Sequence, residues 1–143
     1  MSRTSVILPF AKAVLLGSVA GAAPYLLLSL VFVLLGLPKA LTSFTEFLAM
    51  IGLAVLPIAV ALPMVLTGSI AIGLPATAAL RHWELESGAA YTAIGTVSGG
   101  GLAFAIAVLF DVPDPPWAGF LGSISGAVTG LTWWRSGRAP YVI

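Results

Sequence analysis

The residues with the greatest chemical potential in this chain lie within five positions of one another: His82, Glu84 and Glu86. An imidazole and two carboxylates could ligate a metal ion, and His82 and Glu86, at i and i+4, could share a helix face as base and orienter. A structural metal site, however, needs three or four converging ligands, and the chain has one histidine and no cysteine. No motif places a nucleophile beside His82. The sequence also contains no phosphate loop, no dinucleotide fingerprint and no H-E-x-x-H helix. It therefore assigns no catalytic residue, no metal site and no cofactor, and the expected role is non-enzymatic. Asp111 and Asp114 form a second acidic pair that could hold a cation, but a solvated loop is the simpler reading. Tyr25 and Tyr91 are read as buried hydroxyls bonded to neighbouring helices.

These groups must be positioned by elements built for lipid. Residues 13–38, 47–80, 87–110 and 115–134 carry no charged side chain. Each stretch is long enough to cross a hydrocarbon core of roughly 30 Å at about 1.5 Å rise per residue. Of the 143 residues, 59% are hydrophobic and 8% are charged, against about 25% charged in soluble domains. The fold expected is all-α, a four-helix transmembrane bundle. It forms a single integral-membrane domain over residues 1–143, with spans of about 11–36, 46–72, 87–110 and 115–134. A net charge of +1 lacks the basic excess of a nucleic-acid binder. The apolar run that begins after Lys12 continues to Leu37, well beyond the roughly 7–15 residues of a signal-peptide core, so it is read as a retained span.

Charge asymmetry orients the bundle. Arg3, Lys12, Arg81, Arg135 and Arg138 fall on one side, and only Lys39 falls on the other. The positive-inside rule then puts both termini in the cytoplasm. A bacterial plasma (inner) membrane is the expected location. Trp117 opens the last span, and Trp133 and Trp134 close it. The 16 positions from Trp117 to Trp133 cover about 24 Å of helix, so these rings and Trp83 read as interfacial anchors.

Turn chemistry suggests the boundaries. Gly36-Leu37-Pro38 reads as the stop of the first helix, Ser43 with Glu46 as a capping box, and Asp114-Pro115 as the start of the last. The second span is expected to kink at Pro57 and Pro63 and to end at Gly73-Leu74-Pro75, followed by a short interfacial helix over 76–83. Glu46, Glu84, Glu86 and Asp114 are read at helix starts, and Lys39, Arg81, Arg135 and Arg138 at helix ends, where each complements the dipole.

Glycine spacing is the remaining signal. Gly17 and Gly21, Gly95 and Gly99, and Gly122, Gly126 and Gly130 recur every four residues, so each set lines one helix face. Small residues on a face let helix backbones approach closely, either within the bundle or against a partner. Gly99-Gly100-Gly101 could alternatively mark a broken point along a substrate path. The run from Gly17 to Ala23 echoes that from Gly95 to Gly101, as duplicated helical hairpins would. No ionisable group is expected near the midplane, where proton relays and ion-coupled pumps keep theirs. The expected function is therefore a structural, accessory or assembly role through glycine-rich faces. The expected partners are the lipid bilayer and a homo-oligomer or larger membrane complex. The alternative is a passive small-solute channel or transporter lined by Thr67, Ser69, Thr96 and Ser98.

Overall fold

A computed structural model describes residues 4–137, which are helical with short connections and contain no strand. Helix α1 is Thr4–Ala40 and α2 is Phe44–Gly68. A π-helical turn, Ser69–Gly73, joins α2 to α3, Leu74–His82. Helices α4 (Gly88–Leu109) and α5 (Pro115–Gly137) complete four rods. Three of them, over Ile7–Pro38, Phe44–His82 and Gly88–Leu109, are long and apolar enough to cross a membrane. At 23 residues, α5 has the length, about 34 Å, but small and hydroxylated residues dilute its apolar character. Its position accounts for this composition. It packs between α1 and α4, and a helix flanked by protein needs fewer large apolar side chains than one facing lipid. Arg3 and Arg138 lie outside the described residues.

Several boundaries differ from the turn signals. Gly36 and Pro38 do not stop α1, which runs on to Ala40. Gly36 serves packing instead, because a Cβ there would strike Met50 of α2. Pro38 forfeits the one ladder bond that its N–H would make to the Leu34 carbonyl without ending the helix. The second rod likewise continues past Gly73-Leu74-Pro75. The Leu74 N–H reaches the Ser69 carbonyl, five residues back. This wider turn changes the step of the ladder just before Pro75, where the proline has no N–H to offer.

The caps also differ. Ser43 is the N-cap of α2, but its side chain makes no capping bond, so the expected box with Glu46 is not closed. Ser87 does cap α4, its Oγ accepting from the Ala90 N–H at 3.0 Å. After α3, the Leu85 N–H bonds the Leu80 carbonyl at 3.0 Å and the Glu84 N–H bonds the Arg81 carbonyl at 3.2 Å. After α4, Val112 N–H to Ala107 (2.8 Å) and Asp111 N–H to Val108 (3.3 Å) repeat the pattern. Both are Schellman caps, with Glu84 (φ 56°) and Asp111 (φ 52°) in the left-handed position that glycine usually fills. Glu84 thus belongs to the carboxyl end of α3 and not to the start of the next helix. His82 and Glu86 cannot share a helix face, because α3 ends between them. Asp114 (φ 58°) immediately precedes α5, and its carbonyl accepts the Trp117 N–H at 3.1 Å.

The rods pack in the order α2, α1, α5, α4, and α2 touches α4 only sparsely. On the α1–α5 seam, Gly17 faces Thr129 and Gly21 faces Ser125. By that register, α5 begins level with residue 31 of α1. Residues 32–40 of α1 run about 13 Å farther, paired with the start of α2 through Gly36 and Met50.

Candidate functional site

The seven glycines singled out by spacing meet in two seams along α5. On the α4 side, a Cβ at Gly95 would collide with the Gly126 carbonyl, and one at Gly126 with the Gly95 carbonyl. Gly99 and Gly122 stand in the same reciprocal relation, and Gly130 faces the Tyr91 carbonyl. Backbone therefore lies directly on backbone. On the α1 side, Gly17 and Gly21 admit the hydroxylated side chains of Thr129 and Ser125. The Ser125 hydroxyl donates across this seam to the Gly17 carbonyl at 2.8 Å, in a buried hydrogen bond between helices.

This arrangement gives the sequence echo a different meaning. The runs beginning at Gly17 and Gly95 do not occupy equivalent places in two hairpins. Gly95 faces its own hairpin partner, α5, whereas Gly17 turns away from α2 and also faces α5. Two helices seated on one central helix need similar small-residue faces. The glycine triplet is not a break either, since α4 is continuous through it. Gly99 and Gly100 are packed against α5, and only Gly101 faces open space.

The polar residues gather at the end where α3 finishes and α4 begins. Arg81 Nε and Glu86 Oε1 form an ion pair at 3.1 Å, and the Tyr91 hydroxyl donates to the same oxygen at 2.9 Å. Tyr91 is buried, and its ring packs on Trp134 with centroids 5.5 Å apart. Its hydroxyl thus donates to a loop carboxylate, with the Thr77 hydroxyl of the neighbouring α3 also within hydrogen-bonding reach. Tyr25, expected to be buried, is 48% exposed. Glu86 is tied to Arg81 and Tyr91, and Glu84 sits in a cap. Among the described residues, no three metal-ligating side chains converge.

The tryptophans divide into two pairs. Trp83 and Trp117 are exposed, and Trp117 stacks on Phe120 at 5.4 Å. Trp133 meets Phe10 of α1 edge-on at 6.0 Å, and Trp134 covers Gly88 as well as Tyr91. The hydroxyls proposed for a solute path are also split. Ser69 and Ser98 line the space between the helices, Thr96 opens on a separate groove beside Trp134 and Arg135, and Thr67 is exposed. Thr67, Thr96 and Ser98 donate to carbonyls one turn back on their own helices, each at 2.7 Å.

Sequence spacing did not foresee the space between the helices. A cavity of about 650 Å³ lies among all four rods, with walls that include Val60 and Met64 of α2, Ile94 and Leu102 of α4, and Leu121 and Trp133 of α5. It forms because glycine draws α4 and α1 onto α5 while α2, with no buried residue, is held chiefly by α1. Its only usable signal was the contrast between the large-residue α2, with two glycines in 25 residues, and the glycine-rich α4 and α5. The comparisons add no assignment: no protein family, curated protein or solved structure matches the chain.

Proposed function

We propose that the chain is a non-enzymatic membrane protein with a structural, accessory or assembly role, acting as a subunit of a homo-oligomer or larger membrane complex. The observation that carries this reading is the overhang of the α1–α2 hairpin. Helices α4 and α5 are 22 and 23 residues long, about 33–34 Å, which suits a hydrocarbon core of roughly 30 Å. The hairpin continues beyond their shared end with Phe32, Leu34, Leu35, Phe44 and Leu48 all exposed. This apolar surface, beyond the ends of α4 and α5 and covered by neither, supports reading the hairpin as an interaction site. In this reading the glycine seams make a stiff core of α1, α5 and α4, and that core holds the hairpin out toward its partner.

The proposed setting is a bacterial inner membrane crossed by all four rods, with both termini cytoplasmic. The basic count of the sequence supports that orientation. A bend of α2 at Pro57 and Pro63 would set the angle at which the hairpin leaves the core. The channel alternative gains little support, because the cavity walls are apolar and the nearby hydroxyls bond their own helices.

The test is the size of the assembly extracted from membranes in mild detergent at native expression. The expected particle exceeds a single 14.6 kDa chain in its micelle, and Leu34→Glu with Leu48→Glu reduces it to that size. An unchanged particle in the double variant contradicts the proposal. Solute flux through liposomes holding only the purified chain would favour the alternative.

A further inference from the structure

We infer that the cavity between the four rods is a binding site for one acyl chain of a bilayer phospholipid. The inference rests on the membrane setting and not on the accessory role. Its volume, about 650 Å³, falls within the roughly 300–1,000 Å³ typical of ligand sites. Its walls run from Ala118 to Trp133 along α5, about 22 Å of helix, which exceeds the depth of one leaflet, about half of a 30 Å core.

No charged residue contributes to the lining. At the α3 end, the hydroxyls of Thr77 and Tyr91 reach the cavity wall. Both already donate, Thr77 to the Gly73 carbonyl at 2.8 Å and Tyr91 to Glu86. The site thus presents mainly hydrocarbon surface, with the hydroxyls of Thr77, Tyr91, Ser98, Ser125 and Thr129 already donating to protein acceptors. A polar solute entering it would lose its hydration and find no free donor on these groups. An alkyl chain loses nothing of that kind.

Access comes from the seam between α2 and α4. These rods approach where Gly68 faces Leu102, and their contact is otherwise sparse. Lipid stands against that seam in a membrane. A dry void of this size would leave its lining without dispersion partners, and an acyl chain restores them. The chain therefore enters sideways, with its headgroup remaining at the membrane surface.

The test uses the full chain in phosphatidylcholine vesicles that contain a small fraction of phosphatidylcholine with a photoactivatable group midway along one acyl chain. Adducts are mapped by mass spectrometry. The expected pattern is labelling at Ile94 and Leu102, which line the cavity, in addition to outward-facing Val97 and Val108. Ala61→Trp fills the space from α2, and the cavity adducts then fall about tenfold, the factor given by 1.4 kcal/mol of lost affinity. Labelling at Val97 stays constant and shows that the variant is still inserted. Ser98→Leu, on the opposite wall, gives the same loss and guards against a folding defect in the first variant. Labelling confined to Val97 and Val108 overturns the inference while leaving the membrane setting intact. Cavity labelling indifferent to both filling variants overturns it equally.

Discussion

The two antiparallel hairpins of this molecule are built on opposite principles. In the α4–α5 hairpin, glycine lies against glycine, and each Cβ position is occupied by a carbonyl of the facing helix. In the α1–α2 hairpin, the close approach at Gly36 is filled by the flexible end of Met50, and α2 has no buried residue. The first contact is one of backbones, rigid and intolerant of any added atom. The second is one of long side chains that can move aside. Cohesion without a hydrophobic driving force depends on close packing, so the glycine seams form the firm part of the molecule and α2 the compliant part.

The strongest challenge to this contrast is Gly126→Leu. Its side chain would have to displace the backbone at Gly95 and Gly99, and overpacking on that scale should cost about 3 kcal/mol or more. Reversible unfolding in mixed micelles measures the loss, and a variant as stable as the parent would remove the rigid seam from the account. A finer comparison applies the same change to each hairpin. Gly95→Ala meets a carbonyl and should cost about 1–3 kcal/mol. Gly36→Ala meets only the flexible end of the Met50 side chain and should lie within about 0.5 kcal/mol of the parent. Equal losses would show that the two hairpins are not distinct in kind. Ser125→Ala, which removes the hydroxyl bond to Gly17, should cost about 0.6 kcal/mol, the usual size of such bonds between membrane helices. A cost several times larger would make hydrogen bonding, not close approach, the main glue of the α1–α5 seam.

Much of this architecture was legible in the residues. Uncharged runs located the helices, and four-residue glycine spacing located the faces that meet, because both depend only on helical periodicity. The boundaries at Gly36 and Pro75 were not legible. A glycine that seats a neighbouring side chain looks the same in sequence as one that caps a helix, and a π turn ahead of a proline leaves no local mark. Glu84 was misplaced for a related reason. A left-handed Schellman position normally signals itself with glycine, and here a carboxylate stands in it. Which helix each glycine face would meet depended on packing order, which spacing alone does not contain. The cavity left only a faint mark in the sequence, since it reflects the sparse contact between α2 and α4, helices that are not adjacent in the packing order.

The account turns on whether the α1–α2 overhang is the face that a partner covers. The chain has no cysteine, so Leu35→Cys introduces a single reporter on the overhang, at a position 74% exposed. Its reaction rate with a membrane-impermeant maleimide should be high in liposomes that contain only the purified chain, and low in native membranes at native expression. Equal, rapid labelling in both settings would show that nothing covers the hairpin. Protection in both that persists in Leu34→Glu with Leu48→Glu would show that lipid already buries it, and either result contradicts the proposed role; protection in both that the double variant abolishes is the outcome a homo-oligomer gives.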